Sequence, residues 1–225
     1  MSRATWLALE SNPETINAFL EKMGISGLEC TDVFSFDEDM LAFVPTPQLA
    51  VILCFPSDKA KAYLETVYDD LRKAGSDNNK DVFFMKQKIH NACGTFALFH
   101  SLANLEDKID LGSGPFKDWL EKAKLADEES RSDLLKDDAE LASAHAETAQ
   151  AGETVQPDNV EYHFICYVNK NGTLYEIDSC APFPRPLGKT TPETLVKDAG
   201  VAIMEHVKRI DDPSFSAMAL VGQSS

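Results

Sequence analysis

Nothing in this chain of 225 residues reads as a device for phosphate, for a membrane or for disulfide bonding. No G-x-G-x-x-G or phosphate-loop pattern occurs, so nucleotide chemistry has no backbone cradle to work with. No apolar run is long enough to span a bilayer, and no N-terminal charged-then-apolar segment resembles a signal peptide. The five cysteines (Cys30, Cys54, Cys93, Cys166, Cys180) are odd in number, widely spaced and free of any C-x-x-C. That argues against a disulfide framework and for a reducing, cytoplasmic compartment. Cations are scarce as well. The 21 Lys and Arg against 37 Asp and Glu leave a net charge of −16, which repels nucleic acid and anionic membranes and would steer in a basic partner. A hydrophobic content of 44% suits a single domain over residues 1–225, long enough to bury its core without disulfide or metal.

What is present is a succession of periodic segments. Asn12-Pro13-Glu14 supplies a cap, a first-turn proline and an early acid for a helix carrying Ile16, Phe19, Leu20 and Met23, closed by Gly24. Residues 30–34 read as a short strand, and 49–55, apolar on both faces, as a central strand covered on both sides. Helical spacing returns over 58–74, with Tyr63, Leu64, Val67 and Leu71, and again at Phe116, Trp119, Leu120 and Ala123. An acidic helical region follows, then a polar stretch over 143–159 with almost nothing to bury, which reads as a long mobile loop. Residues 162–168 and 173–178 flank Asn169-Lys170-Asn171-Gly172 as a hairpin, closed by Pro182, Pro184 and Pro186. Thr191-Pro192-Glu193 opens a last helix and 215–221 forms a closing strand.

The chemistry concentrates in 84–103, FMKQKIHNACGTFALFHSLA. It continues a strand-like run over 82–85, turns, and opens a helix marked by Phe96, Phe99, Leu102 and Ala103. Cys93 thereby falls at a helix N-terminus, where unpaired N–H groups and the macrodipole favour a thiolate. Gln87, in the turn, can donate its amide to an oxyanion beside the sulfur. The hairpin offers the partners. If all four residues 169–172 form its loop, His163 faces Asp178 directly, within hydrogen-bonding reach; a two-residue Asn171-Gly172 loop puts His163 opposite Cys180 and separates the pair. Cys93 as nucleophile, His163 as base, Asp178 as orienting carboxylate and Gln87 as oxyanion donor make a complete acyl-transfer constellation.

Singly, each residue has a blander role: a helix-start cysteine as a small hydrophobe, a strand histidine as structure, a strand-end Asp as a turn former. His90, three residues before Cys93, is the rival base; His100 lies two helical turns on, His145 in the polar loop and His206 on the last helix. Two H-x-x-C pairs, His90 with Cys93 and His163 with Cys166, raise zinc. Positions i and i+3 of a strand point to opposite faces, so His163 and Cys166 cannot chelate together. No metal and no cofactor are expected, and Cys30, Cys54 and Cys166 read as inert core.

These residues resemble the ubiquitin carboxyl-terminal hydrolases, specifically short single-domain members without a C-terminal extension. The resemblance covers nearly the whole chain: Trp6-Leu7 with Leu9-Glu10 and Asn12-Pro13-Glu14, Pro45, FMKQ at 84–87 with NACGT at 91–95, His163-Phe164-Ile165, Leu174-Tyr175-Glu176 with Asp178, Pro182-Phe183-Pro184, and Phe215-x-Ala217-Met218-Ala219-Leu220. It implies an α+β papain-like cysteine hydrolase with a central antiparallel β-sheet flanked by helices on both faces and a knotted chain. By the same resemblance Cys93, His163 and Asp178 are the catalytic triad and Gln87 the oxyanion glutamine. A mobile crossover loop near 145–160 would limit leaving groups to small adducts and short or unfolded peptides on the C-terminal glycine of ubiquitin. Leu9, Glu10 and Asp32 match positions near bound ubiquitin, whose basic face suits the acidic charge. The chain departs from the family at His90, where relatives carry a small residue, and at Ser179-Cys180, where they carry Gly-Arg after the aspartate. The expectation is a monomeric, thiol-dependent ubiquitinyl hydrolase with no nucleic-acid or membrane partner. The alternative is a ubiquitin-binding protein or reservoir whose triad idles in the free state.

Overall fold

The run Gln48–Pro56 is buried at every position, so it needs cover on both faces, and the rest of the chain supplies it. In the computed structural model, which describes residues 4–75, 81–153 and 160–222, the elements follow in this order. They are α1 (Pro13–Lys22), β1 (Leu28–Asp32), α2 (Glu38–Leu41), β2 (Gln48–Pro56), α3 (Ser57–Ala74), α4 (Cys93–Ala103), α5 (Pro115–Ala123), α6 (Glu128–Lys136), α7 (Ala139–Ala151), β3 (Tyr162–Lys170), β4 (Thr173–Ile177), β5 (Arg185–Lys189), α8 (Leu195–Ile210) and β6 (Ser216–Gly222). The strands make one sheet in the order β1-β6-β2-β3-β4-β5, every neighbouring pair antiparallel. Alternation along β2 divides the core. Ala50, Ile52 and Cys54 join α1, α4, α5 and α7 on one face, while Val51, Leu53 and Phe55 join α3 and α8 on the other. The architecture is therefore α+β, an antiparallel sheet between helical layers. No helix among the described residues is long and apolar enough to cross a membrane.

Five expectations change. The first strand lies at Leu28–Asp32 rather than 30–34. Residues 82–85 form no strand, because side chains from outside satisfy their backbone groups, as detailed below. The polar stretch from 143 is helical up to Ala151: Asp138 caps it by accepting from the Leu141 N–H, and Leu141, Ala144, His145, Thr148 and Ala149 bury one stripe. Small and polar residues on that stripe hid its period. Residues 154–159 of the expected crossover loop, like the polar segment 76–80, lie outside the described residues. The proline-rich segment contributes a further strand, β5, where Pro186 is tolerated because this is the edge of the sheet.

The fifth change concerns the hairpin, whose two-residue loop was expected to separate His163 from Asp178. Lys170 pairs with Thr173 and Cys166 with Ile177, so the turn has two residues, Asn171 at φ 55° and Gly172 at φ 79°. Both central residues of such a turn need positive φ, which Asn and Gly supply at least cost and which suits the strand twist. The Asn169 side chain braces it by accepting from the Gly172 N–H at 2.9 Å.

Candidate active site

The nucleophile's position follows from how α4 begins. Asn91 takes a left-handed φ of 61°, turning the chain so that Cys93 opens the helix, preceded by Ala92 with no side-chain cap. The approach, 82–88, is fixed by groups far away in sequence. Asn104 closes a two-way bond with Phe83, accepting from its N–H at 2.8 Å and donating to its carbonyl at 3.0 Å. The Met85 N–H donates to His100 Nε2 at 3.0 Å, and Arg131 Nη1 donates to the Phe84 carbonyl at 2.5 Å. A ring nitrogen that accepts carries no proton, and burial pushes His100 down to about 3, so it stays neutral.

Gln87 is held on both sides. Its backbone N–H donates to the Ser179 carbonyl at 3.1 Å, its Oε1 accepts from Ser179 Oγ at 2.7 Å, and its Nε2 donates to the Ile89 carbonyl at 2.9 Å. The amide is thus oriented with its oxygen toward Ser179 and its donors on the other side.

His163 and Asp178 meet: Nε2 donates to Oδ1 at 2.8 Å. The register expected to separate them does not, because β4 ends at Ile177 and the chain leaves the sheet in a turn closed by Ala181 N–H to the Asp178 carbonyl at 3.0 Å. Continuing the register, Asp178 falls opposite Ile165, two residues from His163 on the same side of the sheet, and diagonal neighbours are within reach of a long side chain. Asp178 is buried. Its Oδ2 accepts from the Tyr68 hydroxyl of α3, and its Oδ1 also accepts from the Cys180 N–H at 2.8 Å. Burial alone would raise this carboxyl, but His163, Tyr68 and the Cys180 N–H outweigh it and hold Asp178 below the usual carboxylate range. Burial likewise opposes charge on His163. The Asp178 charge and hydrogen bond, helped by the neighbouring Cys93 sulfur, override it and hold the imidazole well above its ordinary range. His163 is thus bonded to Asp178 with Cys93 acting on the same imidazole, and the ring of Phe55 stands edge-on to His163 at 5.8 Å.

A cleft of about 480 Å³ runs beside Cys93, lined by Leu9, Glu10, Tyr162, Phe164 and Phe215 among others. Leu9 packs on the first turn of α4, where a Cβ added at Gly94 would stand 3.2 Å from the Leu9 Cβ, so glycine there permits the close approach. The Glu10 carboxylate accepts from the Glu153 N–H at 3.1 Å. Asp32 ends β1, exposed, and is not among the residues lining this cleft.

The other histidines serve different ends. His90 exposes its ring and uses its backbone to bind Ala4 and Trp6. His145, placed by the sequence in a loop, is buried in α7, with Thr95 Oγ1 at 2.7 Å from Nδ1 and the Leu7 carbonyl at 2.9 Å from Nε2. It ties the first turn of α4 to the N-terminal strap, and burial lowers it to about 4. Burial pushes the thiols of Cys30 and Cys54 up and that of Cys166 to about 12, so none is a nucleophile at neutral pH. Two residues of the site escaped the sequence reading. Tyr68 lies on the buried Ala60, Leu64, Tyr68 stripe of α3, visible by period but not by its reach to Asp178. Ser179 carries no sequence signal for its hold on Gln87. Among the described residues, the side chains grouped closely enough to hold a metal ion are those of His163, Asp178 and Cys180; Cys166 is not with them.

Comparison with known proteins places the chain in a family and a fold. Residues 6–208 match the family model described as ubiquitin carboxyl-terminal hydrolase, family 1. A ubiquitin carboxyl-terminal hydrolase of Drosophila melanogaster is 39% identical over 223 residues, covering 96% of this chain and 97% of the relative. Isozyme L1 of Homo sapiens is 34% identical over 216 residues, covering 94% and 96%. The crystal structure of the Trichinella spiralis UCH37 catalytic domain bound to ubiquitin vinyl methyl ester superposes with a TM-score of 0.76 at 25% identity, covering 97% of this chain and 96% of that one.

Proposed function

The chain belongs to the ubiquitin carboxyl-terminal hydrolase family 1, and from that premise we propose a deubiquitinating cysteine hydrolase in which Cys93, His163, Asp178 and Gln87 carry the reaction. The observation that supports it most is the buried His163–Asp178 pair, Nε2 to Oδ1 at 2.8 Å, whose imidazole is acted on by Cys93 at the start of α4. In the proposed reaction Cys93 attacks the carbonyl of ubiquitin's C-terminal glycine as the thiolate, its proton already held on His163. The oxyanion is held by the Gln87 amide and the Cys93 N–H. His163 returns the proton to the leaving amine or thiol, leaving a thioester. Water, deprotonated by His163, then hydrolyses the thioester and frees Cys93. Asp178 fixes the imidazole tautomer and stabilises the imidazolium, and the Tyr68 hydroxyl holds the carboxylate in place.

The apolar cleft beside Cys93 has the shape to take an extended C-terminal tail, with Leu9 and Glu10 on its wall and Asp32 beyond it against the body of ubiquitin. The net charge of −16 favours a partner with a basic face. Small adducts and short or unfolded peptides are the leaving groups of this reading, and a monomeric cytoplasmic catalytic domain is its setting. The bonded His163–Asp178 pair favours turnover over the idle-triad alternative. The test is initial-rate hydrolysis of a fluorogenic amide on ubiquitin's C-terminus, with the isolated tail-peptide amide in parallel. Rapid turnover of the first and silence on the second are expected. Binding of ubiquitin without turnover of either would replace this reading with the idle-triad one.

A further inference from the structure

Cys180 is a thiol that the proposed reaction does not use. It is exposed, and it follows the buried carboxylate closely enough for its own N–H to donate to Asp178 Oδ1 at 2.8 Å. One donor atom from each of His163, Asp178 and Cys180 lies within 4.8 Å of the other two. An imidazole nitrogen, a carboxylate oxygen and a sulfur are the donor set that tetrahedral Zn²⁺ takes.

We propose that these three side chains form an inhibitory site for a thiophilic divalent cation of the zinc class. The ligands are Cys180 Sγ, the Asp178 carboxylate and His163 Nε2, the ring nitrogen already facing that carboxylate. His163 Nε2 and Asp178 Oδ1 stand 2.8 Å apart with a proton between them. Two metal bonds of about 2.0–2.1 Å at a tetrahedral angle need roughly 3.3 Å between the same atoms, so these two ligands open by about half an ångström while the Cys180 sulfur, within 4.8 Å of both, closes to about 2.3 Å from the ion. The metal takes the place of that shared proton and of the Cys180 thiol proton, both of which pass to solvent. The scaffold braces the ligands from behind: the Tyr68 hydroxyl holds the other carboxylate oxygen, as outer partners hold ligands in metal sites. Entry is open on the Cys180 side, and a net charge of −16 concentrates cations at the surface. Occupancy removes the base and its orienting carboxylate together. Cys93 is not among the three grouped donors, which makes the site separable from the nucleophile.

The experiment titrates Co²⁺, as a spectroscopic stand-in, into the full chain and into Cys93→Ser and Cys180→Ser variants without substrate, and titrates Zn²⁺ into the hydrolysis assay. The unsubstituted chain and Cys93→Ser should show a saturable sulfur-to-cobalt charge-transfer absorbance that Cys180→Ser lacks. Cys180→Ser should keep its metal-free rate while its half-inhibitory Zn²⁺ concentration rises about tenfold or more, since even an outer partner of a metal ligand is worth roughly 10–100-fold. A band that survives Cys180→Ser, or vanishes in Cys93→Ser, would assign the cation to the nucleophile and overturn the proposal. So would the lack of a saturable band in the unsubstituted chain, or inhibition indifferent to Cys180.

Discussion

The arm that carries Cys93, residues 82–93, and the arm that carries His163 and Asp178, residues 162–182, meet at one site but are held by opposite means. Before α4 the first arm has no regular structure, and its backbone is satisfied by the side chains of Asn104, His100 and Arg131. The second arm is a sheet almost to its end; only after Ile177 does it leave the ladder to place Asp178. Both put their reacting group where regular structure starts or stops, so the side chain is anchored by a stiff element yet free of its repeat. The two are stitched together by Ser179, which binds Gln87 through both backbone and side chain. The difference teaches that the first arm depends on buried polar contacts, each costing about 1–3 kcal/mol to leave unmade, while the second depends on strand pairing and one buried carboxylate.

Breaking the second arm alone should have the largest effect. Asp178→Asn keeps the shape but removes the charge that sets the imidazole, and should lower kcat by about 10⁴. A steady-state rate within tenfold of the unsubstituted enzyme would place the orienting group elsewhere.

Acid and alkali should separate the arms. His100 and His145, both serving the first arm, have folded values of about 3 and about 4, below the ordinary imidazole value of about 6.5. Between those limits the unfolded chain binds protons that the folded chain refuses, so stability falls as pH falls. Two such groups should remove about 4 kcal/mol between pH 7 and pH 5, at about 1.4 kcal/mol per unit each. His163 has the opposite sign: its raised value contributes stability that is complete below about 6.5 and lost as pH rises through its folded value. Asp178, held low, contributes stability above the ordinary carboxylate value and loses it as pH falls through its folded one. Urea unfolding at pH 5 and pH 7 checks the first statement, and equal stabilities at the two would contradict it.

A smaller break belongs to the first arm. Asn104→Ala strips both partners from Phe83 and should cost about 2–4 kcal/mol by denaturant unfolding, whereas a loss under half a kilocalorie would mean water replaces the amide. The finest cut is at the stitch. Ser179→Ala should lower kcat about tenfold with KM unchanged, against roughly 10²–10³ for Gln87→Ala; a Ser179→Ala rate equal to the unsubstituted one would detach Ser179 from the amide's orientation.

The same contrast explains what was legible in the sequence. The helix start at Cys93 and the buried run of β2 are local patterns and stand as predicted, as do the strands of the hairpin. Its register stood open between two turns, and the Asn171-Gly172 turn prevailed with its paired positive φ values. The pair it was expected to break survived because Asp178 lies past the strand's end. The irregular course of 82–88 was illegible for another reason: its bonding partners His100, Asn104 and Arg131 lie 15, 21 and 47 positions on, and no periodic pattern of residues marks a bond of that span. His145 hid in a helix whose buried stripe is largely alanine and threonine, and Tyr68 fell outside the expected face of Tyr63, Leu64, Val67 and Leu71. Cys180 stood in the sequence as a departure after Asp178, and the fold brings its sulfur beside His163 and Asp178.

The central claim, that the two arms converge to make Cys93 the attacking thiol, is tested most directly by covalent capture. The chain is incubated with ubiquitin carrying a C-terminal vinyl methyl ester, and the adduct is located by intact mass and peptide mapping. The account predicts a single adduct on Cys93, lost in Cys93→Ala and retained in Cys180→Ser; an adduct on Cys180, or none at all while ubiquitin binds, would contradict it.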